Sequence, residues 1–470
     1  MEKTKLIATI CTNKNTKKQI EKFIEYGIDV IRINMSYTTR EEAKNLIDLI
    51  EETNKKNKTH VATMLDLEGP CIRTGEFIGG KAVLNTGDKI RIYMKNMKGT
   101  MAGFSVNYPE LINDLKYKTI IKLSKGNIEL EVIEKSLDYA LCEVIKGGTV
   151  TSHSKMYIPE IEVNKKFIST KDYNDILFAH NNNVDYITAS YISSSEDVLQ
   201  INDILIELNN EHIAILAKIE NKRAYDDLDN IITAADGIIL DRGDIGIELP
   251  VEKIPNIQNK VINKCYDKGK LSIITAEFSS FMTRKVIPNR AEVSDLSTLV
   301  SQAVDGIMLT SETTVGSHPI ETVKTVRTII KESEDSIDYG YFFRKSLKEE
   351  KADISRTISS TVVLGANELN CKAILIATNE GKTARRISLL KPPCPIIAAA
   401  ESEEVVKSLE IYFGVLPIIA SGNTLEEITE NAKEIIKSEL DLKKGDKIIV
   451  TGGFPFRKVK HTNFMEIIEI

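Results

Sequence analysis

Two segments end short apolar runs in groups that could handle phosphate: Ala217-Lys218-Ile219-Glu220-Asn221, and Asp236-Gly237-Ile238-Ile239-Leu240-Asp241-Arg242-Gly243-Asp244. The first delivers a lysine and a carboxylate, and the second a carboxylate preceded by glycine. Carboxylate oxygens are hard ligands that suit Mg²⁺, and an ammonium offsets phosphoryl charge. Buried strands that finish in Lys, Glu and Asp therefore point to a magnesium and phosphate site at the rim of a parallel sheet.

The elements that must position these groups can be read along the chain. Eight strand-like runs appear: Lys5–Ile10, Val30–Asn34, Val61–Asp66, Tyr186–Ser190, Ala214–Ile219, Gly237–Leu240, Ser272–Ala276 and Gly306–Leu309. Most are continuous in apolar residues rather than alternating, as in parallel sheets covered on both faces. Helical patterns separate them. Asn15–Tyr26 places Ile20, Phe23 and Ile24 on one face before Gly27, and Arg290–Ala303 carries Val293, Leu296, Leu299 and Val300 at helical spacing. Eight βα units predict a TIM (β/α)8 barrel over residues 1–74 and 157–336. Between the third and fourth strands, residues 75–156 are rich in Gly and β-branched residues, with alternating stretches such as Lys89–Tyr93 and Ile128–Val132. They predict a small inserted β-barrel lid domain. Residues 337–470 read as a C-terminal open α/β domain, with strands at Ala373–Ala377, Ile396–Ala399, Leu416–Ile419 and Lys447–Val450.

Active sites of such barrels lie at the C-terminal strand ends. Those ends carry Arg32, Asn34 and Ser36, then Asp66 and Arg73, Lys218 and Glu220, Arg242 and Asp244, Ala276 and Glu277, and Thr310 and Glu312. Composition fits a soluble globular protein of 470 residues, 42% hydrophobic and 28% charged. The net charge of −6 leaves no basic surplus for nucleic acid, and no window is long and apolar enough for a membrane span. The six cysteines are scattered without a CxxC pair, and the six histidines are equally dispersed. This argues for reduced thiols, a cytoplasmic protein and no zinc site. The N-terminus enters a strand pattern at once, without a signal-peptide layout.

The chain resembles the pyruvate kinase family along its whole length. The family's Thr-Lys-Ile-x-x-Thr-Ile is met by Thr4–Ile10, its Arg-x-Asn-x-Ser by Arg32–Ser36, and its Gly-Pro-x-Ile-Arg-Thr-Gly by Gly69–Gly75. Its Ser/Ala-Lys-Ile-Glu-Asn is met by Ala217–Asn221, its Arg-Gly-Asp-Leu-Gly-Ile-Glu by Arg242–Glu248, and its Arg-Ala-Glu by Arg290–Glu292. The resemblance implies phosphoryl transfer from phosphoenolpyruvate to ADP, giving pyruvate and ATP. It implies Glu220 and Asp244 as ligands of Mg²⁺ or Mn²⁺, Lys218 against the transferring phosphoryl group, and Arg32 and Arg73 on phosphates. Asn34, Ser36, Asp66 and the carbonyl of Leu67 would form a K⁺ site, and the Gly243-Asp244 backbone would receive the substrate carboxylate. Taken alone, Arg73 also fits a lid-hinge ion pair, and Ser36 a helix N-cap. A homotetramer belongs to the same resemblance.

Departures from the family pattern cluster near substrate. Its Ala-Thr-Gln-Met-Leu-Glu-Ser-Met is Thr275-Ala276-Glu277-Phe278-Ser279-Ser280-Phe281-Met282 here, so Ala276 stands for a substrate-contacting threonine. Asp241 replaces an alanine, Glu68 a lysine, Tyr37 a histidine and Thr310-Ser311 a Ser-Gly pair. Cys71 replaces the acidic residue, or lysine, that bears on K⁺ dependence. The lid's Asp-Asp-Gly becomes Ser124-Lys125-Gly126, and its Lys-Gly becomes Ser154-Lys155. Two other readings stand beside the working enzyme: a weakened, ligand-binding regulatory paralogue, and a metal-dependent enzyme on another 2-oxo acid enolate.

In the third unit, strand Ala373–Ala377 leads into Thr378-Asn379-Glu380-Gly381-Lys382-Thr383 and a helix. A turn of Gly, Thr and Lys at a helix start suits anions. In the family it resembles a sugar-phosphate effector site, over which the loop 451–463, with Arg457, Lys458 and Lys460, would close. An ordinary βα turn with a solvated basic loop is the alternative.

Overall fold

The computed structural model describes residues 2–13, 15–159, 165–210, 212–276, 287–347, 353–422, 424–455, 459 and 461–470. Eight parallel strands close into a barrel: β1 (Lys5–Ile10), β2 (Val30–Asn34), β3 (Ala62–Asp66), β4 (Tyr186–Ala189), β5 (Ala214–Ile219), β6 (Gly237–Leu240), β7 (Leu271–Thr275) and β8 (Gly306–Leu309). The eight apolar runs in the sequence are these eight strands, with ends differing by one residue at β3, β4 and β7. Nearly every strand residue is buried, because helices cover the outside and side chains fill the inside.

Register aligns the C-terminal ends. Asn34 lies opposite Asp66 across β2 and β3, Thr188 opposite Asp66 across β4 and β3, and Lys218 opposite Ile239 across β5 and β6. Leaving the barrel from β3, the chain builds a seven-stranded sheet before returning to β4. Its order is Ile72–Arg73, Lys155–Tyr157, Ile120–Leu123, Ile128–Lys135, Tyr139–Lys146, Lys89–Tyr93, Gly103–Ser105. Burial alternates along its strands, so one face packs a separate core around Phe77, Phe104, Leu130 and Cys142 while the other meets solvent. This curled half-barrel is the inserted lid.

The C-terminal unit is a five-stranded sheet: β9 (Ala373–Ala377), β10 (Ile396–Ala400), β11 (Val415–Ile419), β12 (Lys447–Gly452) and β13 (Phe464–Glu469), ordered β11-β10-β9-β12-β13. The sequence reading finds the four parallel strands. It misses β13, which pairs antiparallel with β12 and has only partly covered side chains, so it lacks a continuous apolar run. This unit docks on the barrel at the strand beginnings. Lys5 Nζ donates to the Val415 carbonyl (2.8 Å), and buried Lys391 pairs with Asp305 (2.6 Å). The opposite rim stays open to the lid.

Candidate active site

The rim site is built around Asp66 at the end of β3. One of its oxygens pairs with the buried Arg32 guanidinium from β2, while the other accepts the Thr188 hydroxyl and that of Ser190 (3.0 Å). Burial pushes this carboxyl up, but Arg32 and Lys218 outweigh it and pull it down to about 2. Asp66 is therefore a fixed anion. Arg32 is aimed by Thr9, whose hydroxyl accepts from it at 2.8 Å and donates to the Leu309 carbonyl.

Lys218 emerges from β5 beside this anion. Its buried ammonium donates to Glu220 Oε1 (2.8 Å) and Ser190 Oγ (3.3 Å), and lies 3.9 Å from Asp66 and 3.8 Å from Asp241. Burial disfavours its charge, but Asp66, Glu220 and Asp241 prevail, so its pKa is raised. Alternation along β5 points Lys218 and Glu220 to the same side, with Ile219 on the other. The Tyr191 backbone N–H holds the second Glu220 oxygen (2.6 Å). Burial, opposed by Lys218 and reinforced by Asp244, raises the Glu220 carboxyl to about 7.

Asp244 arrives from the short helix Arg242–Glu248 after β6. Its Oδ2 accepts from Lys155 Nζ (2.8 Å) and the Tyr191 hydroxyl (2.8 Å), and its Oδ1 from the Tyr157 hydroxyl (2.7 Å). Burial raises this carboxyl, but Lys155, Lys218 and the hydrogen bonds prevail and hold it well below the usual carboxylate range. Asp241 caps the same helix, taking the Asp244 N–H at 3.3 Å. One oxygen from each of Glu220, Asp241 and Asp244 lies within 4.8 Å of the others. An all-oxygen trio of this size fits a divalent cation.

The fold takes the remaining sequence-predicted residues to different places. Arg73 reaches the rim and is buried, donating to the Tyr37 hydroxyl (3.1 Å) and the His153 carbonyl (3.2 Å); Glu68 stands 3.9 Å away, so the hinge contact is real but loose. Asn34 Oδ1 accepts the Ser36 N–H (2.9 Å) beside Asp66, and Leu67 N–H donates to the Thr188 carbonyl. Ser36 is not the helix cap: Thr39 caps Arg40–Asn57 with a capping box to Glu42. Arg242 turns away from the site into a bidentate pair with Asp295 (2.7 and 2.8 Å). Ala276 is buried, and the Thr275 hydroxyl is committed to the Leu240 carbonyl and the Arg242 N–H, so it does not replace the missing threonine. Burial raises the Cys71 thiol against Lys155 and Arg73, leaving it uncharged. Glu277 to Met282 lie outside the described residues, as do Arg457, Lys458 and Lys460.

In the C-terminal unit, Thr378 Oγ1 accepts the Gly381 N–H (2.9 Å), and Thr383 meets Thr462 (2.7 Å). Lys382 pairs with Glu380 (2.5 Å), and Asn379 is exposed. Gly381 has φ +74, and a Cβ there would sit 2.9 Å from the Leu409 side chain, so glycine is required.

Sequence reasoning passes over four residues that organise the site: Thr188, Ser190, Tyr191 and Tyr157. The first three lie at or just past the end of β4, a recognised strand whose C-terminal end carries hydroxyls instead of charges. That Thr-x-Ser-Tyr ending is the available signal. Tyr157 gives none, since only the folded lid brings it to Asp244.

Comparison with known proteins agrees with this architecture. Residues 1–323 match the family model described as "Pyruvate kinase, barrel domain", and residues 356–468 match "Pyruvate kinase, alpha/beta domain". A pyruvate kinase of Clostridium perfringens is 35% identical over 475 residues, covering 100% of both chains. One from Sporosarcina psychrophila is 34% identical over 471 residues, covering 99% of this chain and 80% of its own. The crystal structure of a Cryptosporidium parvum pyruvate kinase superposes with a TM-score of 0.91 at 29% identity, covering 100% of this chain and 96% of that one.

Proposed function

The chain belongs to the pyruvate kinase family, and we propose that Lys218, Glu220 and Asp244 form the working centre of its phosphoryl transfer between phosphoenolpyruvate and ADP. The observation that carries this assignment is the contact of Lys218 with Glu220 at 2.8 Å, beside carboxylate oxygens grouped within 4.8 Å on the barrel rim. Glu220 and Asp244 would hold Mg²⁺ or Mn²⁺, which would supply charge neutralisation and a template for the phosphates. Lys218, braced by Glu220 and Ser190, presents its ammonium to the phosphoryl group in flight. Arg32 and Arg73 steady phosphate oxygens. The phosphorus–oxygen bond of phosphoenolpyruvate breaks as one to the terminal ADP oxygen forms, and the enolate left behind takes a proton to give pyruvate.

Three further assignments follow the family. Asn34, Ser36, Asp66 and the Leu67 carbonyl would hold K⁺, supported by the pairing of Asn34 with Asp66 across two strands. The Gly243 and Asp244 N–H groups would receive the substrate carboxylate, although the Asp241 side chain takes the Asp244 N–H here. The loop of Thr378, Asn379, Gly381, Lys382 and Thr383 would bind a sugar-phosphate effector, with the Glu380–Lys382 pair tempering its positive charge. We assign a homotetrameric, cytoplasmic enzyme. Among the described residues no helix is long and apolar enough to cross a membrane.

The test is pyruvate formation from phosphoenolpyruvate and ADP with Mg²⁺, with and without K⁺, coupled to NADH loss. Turnover on the order of 1 s⁻¹ or more is expected, and Lys218→Met abolishes it. A folded protein without turnover, or a Lys218→Met variant that keeps it, overturns the assignment.

A further inference from the structure

Two charged side chains of the site stand where the family resemblance gives an alanine and a glycine: Asp241, and Lys155, which offsets the lysine of the lid's Lys-Gly pair by one position. Both converge on Asp244. Lys155 begins the lid strand Lys155–Tyr157, its ammonium 2.8 Å from Asp244 Oδ2 and stacked 4.7 Å over the Tyr191 ring. Two positions on, Tyr157 donates to Asp244 Oδ1. The lid thus grips one carboxylate with an ammonium and a hydroxyl from the same strand. A second grip lies nearby, where Lys122 Nζ donates to the Ile247 carbonyl (2.7 Å) in the same short helix.

An ammonium on a carboxylate oxygen occupies the lone-pair directions that a metal ion would use. Asp241 adds the negative charge that keeps such a cation welcome: four carboxylates (Asp66, Glu220, Asp241, Asp244) face Arg32, Lys218 and Lys155. We propose that Lys155 is the resident counter-cation of this site, so that a divalent ion must take Asp244 from it and the lid strand lets go when it does. Metal binding and this lid contact then compete for one carboxylate, whose Oδ2 already carries both the Lys155 ammonium and the Tyr191 hydroxyl. The inference rests on reading Glu220 and Asp244 as the metal ligands.

The experiment is Mn²⁺ binding to the full chain without substrate, read from the EPR signal of the free ion. Lys155→Met removes the competitor and is expected to tighten Mn²⁺ binding about tenfold or more, the scale of one hydrogen bond to a charged group. In the parent protein, Mn²⁺ should speed amide hydrogen exchange in residues 155–157. Unchanged or weaker Mn²⁺ binding in Lys155→Met, or exchange that stays level or slows on adding Mn²⁺, overturns the proposal. The exchange arm decides alone if Lys155→Met does not fold. Glu220→Gln separates the two levels. If the parent binds no Mn²⁺, or the Glu220→Gln variant binds it equally well, the ligand reading fails and takes this inference with it. Glu220-dependent binding that ignores Lys155→Met sinks only the counter-cation.

Discussion

Replacing Glu220 by glutamine should stabilise the metal-free protein while destroying its response to metal. Glu220 is fully buried, and its carboxyl is raised from 4.5 to about 7 by burial and by Asp244, with Lys218 opposing. Between those two values the folded state holds a proton that the unfolded chain releases, so stability falls as pH climbs through that window. At pH 8 the charged form costs about 3 kcal/mol at 1.36 kcal/mol per pH unit, and at pH 5 less than about 1 kcal/mol. Glutamine is the neutral isostere and does not incur that cost. Lys218 is not stranded by the change, because Asp66 and Asp241 remain 3.9 and 3.8 Å away. Thermal unfolding followed by far-ultraviolet circular dichroism should show the variant's barrel transition higher at pH 8, by roughly 6–12 °C at 2–4 °C per kcal/mol. The gap should close towards pH 5. Adding Mg²⁺ at a hundredfold excess over its dissociation constant should raise the parent by about 2.7 kcal/mol and leave the variant unmoved. A variant less stable than the parent at pH 8, or a gap equal at both pH values, would refute the buried-charge argument.

Three other substitutions test neighbouring parts of the site. Ala276→Thr should raise turnover roughly ten- to a hundredfold, the worth of one hydrogen bond to a charged group at the transition state; steady-state kinetics showing no gain would remove the role given to that position. Gly69 has φ +65 and a Cβ there would lie 2.2 Å from the Ser190 carbonyl, so Gly69→Ala must displace the loop that carries Ser190 and Tyr191. It should cost more than about 1–2 kcal/mol in unfolding experiments and lower kcat with it. Asp241→Ala removes a helix cap worth about 1 kcal/mol but frees the Asp244 N–H. The expected outcome is a lower melting temperature with a lower KM for phosphoenolpyruvate, and a KM that rises would contradict the view that Asp241 competes with the substrate carboxylate.

Much of this was legible from residue order because parallel barrels announce themselves locally. Strands buried on both faces must be continuously apolar, and a strand that ends must release its next side chains at the rim. Lys218, Glu220 and Asp244 could therefore be assigned to one rim before any contact was known. The same logic fails where the signal is not local. Thr188 and Ser190 carry no charge to mark them, and β13 is too exposed to form an apolar run.

Residue order alone was enough for the three-part architecture, the family and the identities of the charged residues at each strand end. How those charges are partnered emerged only with the folded chain. Arg242, read as a rim residue, spends its guanidinium on Asp295, while Thr275 gives its hydroxyl to Leu240. Asp241 proved to be a cap as well as a third carboxylate, and Lys155 and Tyr157, nearly ninety positions before Asp244, turned out to be among its principal donors. Strand periodicity and hydrophobicity are properties of a few consecutive residues. An ion pair depends on where two distant segments meet, and that is set by the packing of the lid on the barrel.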